Sequence, residues 1–272
     1  MEALCDLLFE LSNDDRLSIL FELQKEPMKL SNISKTLDFT PQATSRNLTR
    51  LVEVGLIRRN EASEYILTPH GSTSLNLLGP YLFLTENRDY MDTHLTEKLP
   101  SEFLARIGDL RNCERVDDPL VMASSMEKVF EESEKWHSYI SPFRAASHKS
   151  QEHIVNKLDS GVVMRNIEET DYFVPDRTLS IIPKEEMHRL EYHWRNGIYE
   201  YRYLDKINIR INMSEKEVSI LTFPKIDGKV DLLGFTSSDP KFHSWCKDIF
   251  DFYWEIAKAK TTLWTQSNLE TE

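Results

Sequence analysis

The sequence predicts an α/β protein with two domains. The N-terminal domain is a winged helix-turn-helix, α-helical with a small β-wing, and a linker helix joins it to a C-terminal mixed α/β domain. Three observations lead to this prediction. Residues 30–57 follow a helix–turn–helix pattern, residues 58–68 add a two-stranded pattern, and strand and helix patterns alternate from about residue 97. A length of 272 residues also suits about two domains.

Composition limits the class of protein. Hydrophobic residues make up 40% of the chain and charged residues 29%, which is typical of a folded, soluble protein. No stretch is long and apolar enough to span a bilayer, and the N-terminal residues lack the basic segment of a signal peptide. The three cysteines, Cys5, Cys113 and Cys246, are far apart, which favours neither a disulfide framework nor a metal site. We therefore expect a cytoplasmic protein.

The N-terminal region carries the signals of three successive helices. Ser12 or Asn13 can cap the first helix, and residues 30–37 have the spacing of a short second helix. The third helix has the clearest start, because Thr40 suits the N-cap and Pro41 suits the first helical position, where its missing N–H costs nothing. We expect these three helices to pack together as a helix-turn-helix unit.

The third predicted helix has one apolar and one polar face. Thr44, Leu48 and Leu51 share the face that should pack on the other helices. Short polar side chains and arginines on the opposite face suit base edges and phosphates in the DNA major groove. A polar face on a single helix is most often solvated surface, so the prediction depends on the elements that follow. The candidate DNA-binding residues of this segment are Thr40, Gln42, Ser45, Arg46, Thr49 and Arg50.

A two-stranded wing is predicted directly after the third helix. Val54-Gly55 should end that helix, residues 56–59 form the first strand, and Tyr65-Ile66-Leu67 returns as the second. Thr68-Pro69 then caps another helix. This order of elements is much more specific than any one helix, and it predicts a winged helix that enters the major groove. The candidate DNA-binding residues of the wing are Arg58 and Arg59.

The charge distribution is compatible with DNA binding by this region alone. A net charge of −12 disfavours DNA binding by the chain as a whole, because phosphate contacts need basic surface. Between residues 29 and 60, however, six basic side chains accompany only two acidic ones, Asp38 and Glu53. A basic face on an acidic body suits a repressor that avoids non-specific binding.

The first 75 residues or so resemble winged-helix regulators of the arsenic-repressor-like superfamily of bacteria and archaea. The turn Asp38-Phe39 departs from that pattern, because it lacks the usual glycine. Metal-sensing members use cysteine or histidine clusters, and Cys5 stands alone here, so metal sensing does not carry over. The resemblance lies in Thr44-Ser45, Leu48, Leu51, Val54-Gly55-Leu56-Ile57, Tyr65-Ile66-Leu67-Thr68 and Gly71.

The segment from 69 to 95 has a helical pattern that Gly79-Pro80 should kink or break. Its aligned leucines, Leu75, Leu78 and Leu82, either make dimer contacts or pack on their own domain. We expect a homodimer in either case, because one recognition helix reads few bases. The predicted boundaries are 1–75 for the winged helix, 76–96 for the connecting helix, 97–262 for the α/β domain and 263–272 for a flexible tail.

Strand and helix patterns alternate in the C-terminal region. A strand through Tyr139-Ile140, a helix over 148–158 and a strand at Val162-Val163-Met164 predict a parallel pair of strands joined by a crossover helix. Residues 207–213 alternate apolar and polar side chains, which predicts a half-buried strand.

Two further strands and a final helix are predicted after residue 217. The strands cover 218–223 and 230–235, with a turn at Asp227-Gly228. Asp239-Pro240 then caps the final helix. The side chains predicted to form its buried stripe are Phe242, Trp245, Ile249, Tyr253 and Ile256.

Six segments of the C-terminal region carry a second resemblance. They are Asp109-Leu110-Arg111-Asn112-Cys113-Glu114, Tyr139-Ile140-Ser141-Pro142-Phe143, Val218-Ser219-Ile220-Leu221, Asp227-Gly228, Ser238-Asp239 and residues 245–253. With these segments, most of the chain resembles archaeal regulators that join a winged helix to a methanogenesis-regulator-type effector domain. The motifs are largely structural, so the resemblance implies a transcription regulator with a sensor domain and does not identify a ligand.

Motifs of common enzyme classes are missing from the sequence. With 8 glycines, the chain contains no P-loop and no dinucleotide fingerprint. No serine lies in a G-x-S-x-G elbow, and no pair of histidines has metal-ligand spacing. We therefore expect no enzyme activity, no bound metal and no cofactor.

One loop of the C-terminal region is a candidate ligand site. It follows the Tyr139 strand and precedes a helix, and that position favours polar or anionic ligands. Its charges are also compatible with solvated loop residues. Four aromatic residues, Tyr199, Tyr201, Tyr203 and Trp245, could line a pocket or pack in the core. The candidate ligand-binding residues are Ser141, Arg144, His148 and Lys149.

These observations predict a DNA-binding, one-component transcriptional regulator, whose C-terminal domain senses a small molecule or a partner. Its expected partners are double-stranded DNA, a second copy of the chain and a small polar or anionic effector, without a membrane. An alternative is a protein-interaction module, in which the winged helix serves as a docking surface and does not bind DNA. The acidic body gives this alternative weak support.

Overall fold

Residues 1–142, 148–170 and 183–259 are described by a computed structural model of the 272-residue chain. The backbone of residues 148–151 is included without their side chains. The chain divides into two units, Met1–Tyr81 and Leu82–Glu272. The tail predicted over 263–272 lies outside the described residues.

The N-terminal unit consists of helices around one apolar core, with a two-stranded wing. Strands β1 (Ile57–Arg59) and β2 (Tyr65–Leu67) are antiparallel, with Ile57 opposite Leu67 and Arg59 opposite Tyr65. Buried side chains from the helices and from both strands form the core. The elements are α1 (Glu2–Leu11), α2 (Asp14–Lys25), α3 (Leu30–Thr36), α4 (Pro41–Glu53), β1 (Ile57–Arg59), β2 (Tyr65–Leu67), α5 (Pro69–Leu77) and α6 (Gly79–Glu86), whose last turns extend beyond the unit.

The predicted helix caps of this unit are present. Asn13 caps α2 by accepting a hydrogen bond from the Arg16 N–H, and Thr68 caps α5 by accepting one from the Gly71 N–H. Helix α1 was not predicted. Its apolar residues include the exposed Leu4 and Leu8, so their spacing does not mark a single buried stripe.

Three backbone positions shape the chain around α4 and the wing. Two are turns that flank α4, and the third is a close approach between α5 and the wing. Asp38 adopts φ 55° between α3 and α4, which is the left-handed conformation that glycine usually supplies and that aspartate tolerates. Gly55 adopts φ 73° after α4 and allows the chain to turn into the wing. Gly71 lies so close to the wing that a Cβ atom there would be 1.9 Å from the Leu56 carbonyl oxygen. Asp38 therefore supplies the left-handed conformation in the turn between α3 and α4, where the sequence has no glycine.

The helical pattern over 69–95 is divided into short helices. Helix α5 ends at Leu77, α6 covers Gly79–Glu86, and α7 covers Arg88–Met91. The first break falls at Leu78, directly before the predicted Gly79-Pro80 interruption. The segment predicted as one connecting helix over 76–96 therefore contains two separate helices, α6 and α7.

The C-terminal unit is a mixed α/β domain built on an eight-stranded sheet. Its strands β4 (Trp136–Ser141), β5 (Val163–Glu169) and β6 (Tyr199–Leu204) are parallel, and each other neighbouring pair is antiparallel. The predicted strand–helix–strand unit is confirmed, since β4 and β5 are parallel neighbours on either side of α10 (His148–Asp159) in the chain. After α7, the elements are α8 (Ser101–Ala105), a 3₁₀ turn (Ile107–Leu110), β3 (Glu114–Val116), α9 (Pro119–Glu132), β4 (Trp136–Ser141), α10 (His148–Asp159), β5 (Val163–Glu169), α11 (Lys184–Arg195), β6 (Tyr199–Leu204), β7 (Arg210–Ser214), β8 (Val218–Thr222), β9 (Gly234–Ser237), α12 (Pro240–Ile256) and β10 (Lys258–Ala259). The order across the sheet is β10-β6-β5-β4-β7-β8-β9-β3.

The two faces of this sheet differ in chemistry. Ile140, Ile167 and Ile211 lie on one face and belong to a large apolar core that includes α12. On the other face, a smaller apolar cluster joins α10 and α11 to Met164 and Tyr199. Side chains alternate between faces along a strand, so the polar residues next to those isoleucines point to this second face.

Two of the predictions about this unit are wrong. The strand over 207–213 begins at Arg210 and is buried on both faces, because it lies inside the sheet with α9 packed on it. Ile256 is exposed, because it is in the last turn of α12.

The aromatic residues follow the core-packing alternative. Trp245 lies in the large core, whereas Tyr199 and Tyr201 belong to the smaller cluster, so these three aromatics do not share a pocket.

Candidate nucleic-acid interface

Helix α4 is anchored in the N-terminal unit through its inner face. Leu48 and Leu51 are fully buried in the core, and Thr44 Oγ1 accepts a hydrogen bond of 2.9 Å from Ser34 Oγ on α3. Thr40 caps the helix by accepting a hydrogen bond of 3.2 Å from the Ala43 N–H. These contacts fix the rotation of α4 about its axis, and therefore which side chains it presents to solvent.

The outer face of α4 presents four of the predicted DNA-binding residues together. Gln42, Ser45, Arg46 and Thr49 are all exposed. They are spaced at i, i+3, i+4 and i+7, so they form one stripe along the helix. Arg46 is the longest and the only charged side chain of the stripe, which suits a bidentate contact to a guanine edge.

Arg50 has a different environment from Arg46. Its guanidinium forms an ion pair with Glu10 of α1, with 2.6 Å between Arg50 Nη2 and Glu10 Oε1. The hydrogen bond to Glu10 raises the pKa of Arg50 above its ordinary value. Glu10 also pairs with Arg16 of α2, with 2.8 Å between Glu10 Oε2 and Arg16 Nε. Arg50 therefore links α4 to α1 through Glu10, and it is not one of the four side chains of the exposed stripe.

The two arginines of the wing differ in their contacts within the protein. Arg58 and Arg59 are both exposed on β1. Arg59 Nη2 donates a hydrogen bond of 2.6 Å to Tyr65 Oη, and its guanidinium lies 4.8 Å from the centre of the Tyr65 ring. The wing turn is closed by Asn60, whose Oδ1 accepts from the Glu64 N–H. Arg58 is thus the wing arginine better placed to meet a phosphate.

Glu10, which holds Arg50 beside the candidate interface, is the residue that the sequence did not reveal. It lies on α1, which was not predicted, and its partner Arg50 is 40 residues away in the chain. A single acid in a short apolar run carries no signal of a buried ion pair. The pairing could be recognised only once α1 and α4 were placed side by side.

Of the four predicted ligand-binding residues, only Ser141 can be placed. It is buried at the end of β4. Arg144 lies outside the described residues, and of His148 and Lys149 only the backbone at the start of α10 is described. In the described part of the chain, no three His, Cys, Asp or Glu side chains are grouped as a metal ion would require. No helix within those same residues is long and apolar enough to cross a membrane.

The Thr40 cap can be tested alone. Thr40→Ala should lower the free energy of unfolding by about 1 kcal/mol, because one N–H at the start of α4 loses its acceptor. Thr36→Ala, at an exposed position near the end of α3, should change it by less than about 0.5 kcal/mol. Urea unfolding followed by far-ultraviolet circular dichroism measures both variants, and equal effects would show that the cap has no role.

A family model for a helix-turn-helix domain matches residues 11–60, which extend from the end of α1 to the turn of the wing. Residues 11–60 are therefore a helix-turn-helix domain. No curated protein sequence matches the chain.

Three solved structures are similar to parts or most of the chain. TrmBL2, an archaeal chromatin protein with a novel mode of DNA binding, is 13% identical over 91% of this chain and 94% of its own, with a TM-score of 0.41. Reduced HlyU from Vibrio cholerae is 26% identical over 33% of this chain and 90% of its own, with a TM-score of 0.26. An O-methyltransferase family protein from Burkholderia thailandensis is 13% identical over 72% of this chain and 63% of its own, with a TM-score of 0.25.

Proposed function

We propose that the chain is a DNA-binding, one-component transcriptional regulator. The observation that carries the proposal is the exposed stripe of Gln42, Ser45, Arg46 and Thr49 on α4 of a helix-turn-helix domain. Polar side chains at this spacing reach base edges when such a helix lies in the major groove. Arg58 of the wing adds a phosphate contact, which positions the domain without reading sequence.

We also propose that the C-terminal unit senses a small molecule and catalyses no reaction. An effector would regulate DNA binding only if it bound one state of the protein more tightly than another, and DNA and effector would then alter each other's affinity by the same factor. In a dimer, the two states would differ in the spacing of the two recognition helices. A typical coupling of this kind is roughly five- to 150-fold in affinity.

A homodimer completes the proposal, because two recognition helices read two half-sites. Exposed apolar side chains support it, namely Leu4 and Leu8 on α1, Leu77 on α5 and Tyr81 on α6. Light scattering should give about twice the 31.9 kDa mass of the chain. A monomer at micromolar concentration, both with and without DNA, would contradict the dimer.

The proposed function can be tested by selecting duplexes from a randomised DNA library with the full chain. The native protein should enrich a short common sequence, and an Arg46→Ala, Arg58→Ala double variant should not. Arg50 and Arg59 are left intact, because they contact Glu10 and Tyr65 within the protein. If neither protein retains any duplex, the alternative of a protein-docking module becomes the better account.

A further inference from the structure

Two buried asparagines lie on either side of Tyr139 in one row of the C-terminal sheet. Asn166 of β5 and Asn212 of β7 are both the register partners of Tyr139 on β4. Directly paired residues point to the same face, so all three side chains lie on the second, more polar face of the sheet. Asn166 is 2% exposed and Asn212 is 8% exposed.

The two asparagines differ in their hydrogen bonds. Asn212 Oδ1 accepts a hydrogen bond of 2.8 Å from Ser219 Oγ and lies 3.1 Å from His137 Nε2. Asn166 Oδ1 is buried and has no hydrogen-bond partner among the described residues. Buried acceptors without partners are rare, because they lose their bonds to water and gain nothing in return. Asn212 Oδ1 is thus satisfied by Ser219, whereas Asn166 Oδ1 is an acceptor to which no described residue donates.

The next row of the same face carries opposite charges. Glu168 of β5 is paired with Ser141 of β4, and Arg210 begins β7 on the other side of β4. Glu168 is 4% exposed and Arg210 is 5% exposed. Burial lowers the pKa of Arg210 to about 10, so its guanidinium remains charged at neutral pH. With neighbouring strands about 4.8 Å apart, the Cα atoms of Glu168 and Arg210 are roughly 10 Å apart across Ser141.

Ser141, Asn166, Glu168 and Arg210 form what we call the Asn166 cluster. It lies at the carboxyl ends of the parallel strands β4 and β5, which is where open α/β sheets bind ligands. The other half of this face is filled by the apolar cluster of Met164, Tyr199 and the helices.

We propose that the Asn166 cluster binds a small zwitterionic ligand of the α-amino-acid class. The ligand carboxylate accepts hydrogen bonds from the Arg210 guanidinium, whose planar fork suits carboxylates. The ligand ammonium donates to Asn166 Oδ1 and to the carboxylate of Glu168, which Tyr139 Oη–H already contacts. A zwitterion adds no net charge to the cluster, and each of its charges meets an opposite one. This inference extends the proposed sensing role and names its site and ligand class.

The test is thermal unfolding of the full chain with individual L-amino acids as probes and inorganic phosphate as an anion control. At least one amino acid should raise the unfolding midpoint, by about 5–10 °C at a hundred times its dissociation constant. Phosphate alone should not reproduce the shift. If no amino acid raises the midpoint, or if phosphate raises it equally, the proposal is overturned.

Asn166→Leu and Asn212→Leu form a matched pair, since both remove a buried amide from the same row of the sheet. Asn212→Leu should lower the midpoint without ligand, because Ser219 and His137 lose their partner. Asn166→Leu should leave that midpoint unchanged or raise it, and should abolish the response to the amino acid. A loss of stability in Asn166→Leu equal to that of Asn212→Leu would show a purely structural role and refute the proposal, as would a retained response.

A second variant covers the case in which Asn166→Leu does not fold. Arg210→Lys keeps the charge but removes the planar fork, so the amino acid should bind more weakly. An unchanged response in Arg210→Lys would contradict the proposal. Because thermal unfolding needs no DNA, a failure of this proposal and a failure of DNA binding are separate outcomes. Asn166→Leu without ligand should bind selected DNA as tightly as the native protein.

Discussion

Replacing Glu10 by alanine should destabilise the N-terminal unit by about 3–5 kcal/mol, which is the usual cost of removing one partner of a buried ion pair. The side chains of Glu10 and Arg16 are 8% and 6% exposed, so Arg16 would remain buried without its counter-charge. Arg16 keeps hydrogen bonds to the carbonyl oxygens of Phe9 and Glu10, which places the expected cost nearer 3 kcal/mol. A loss of this size is a large part of the stability of a small domain.

Urea unfolding followed by far-ultraviolet circular dichroism measures the Glu10→Ala effect. All five tryptophans lie after residue 135, so tryptophan fluorescence would not report directly on this unit. Glu2→Ala is the control, because Glu2 is an exposed acid at the other end of α1 and its loss should cost less than about 0.5 kcal/mol. Equal stability of the two variants would show that the ion pair contributes nothing.

Replacing Arg46 by alanine should weaken binding to a selected duplex by about 1–3 kcal/mol, or roughly five- to 150-fold. Arg46 is exposed in the middle of the outer stripe of α4, where a bidentate contact to one base edge is within reach. The variant should also relax the sequence preference at one position of the site. The protein should unfold as the native chain does, because an exposed arginine contributes little to the core.

A competition assay measures the Arg46→Ala effect, with duplexes that differ at single base pairs. Arg88→Ala is a matched control, since Arg88 is 82% exposed on α7 and lies outside the helix-turn-helix domain. It should bind the selected duplex as the native protein does. The assignment of α4 as the recognition helix would be wrong if Arg46→Ala and Arg88→Ala bound DNA equally well.

The N-terminal fold could be predicted from sequence because its signals are local. Thr40-Pro41 starts α4, Gly55 ends it, and Thr68-Pro69 starts α5, each through contacts within about four residues. The stripe of the candidate interface follows from the same helix, since rotation about its axis is fixed by Leu48 and Leu51.

The features that escaped prediction depend on long-range packing. Glu10 meets Arg50 only through the packing of α1 near α4, and the exposed Leu4 and Leu8 gave α1 no single buried stripe. Alternation over 207–213 indicated one solvated face, yet every residue of β7 is buried, because α9 packs on this strand. The pattern of a strand reports which side chains share a face, but it does not report what covers that face.

The central claim, that α4 and the wing bind DNA, is tested most directly by measuring affinity for the selected duplex as a function of salt concentration. For the native protein, the logarithm of the binding constant should fall linearly with the logarithm of salt concentration, with a slope set by the number of phosphate contacts. Arg58→Ala should reduce the size of that slope by about 1, because one phosphate contact is lost. Binding that does not depend on salt, or the same slope in both proteins, would contradict the account.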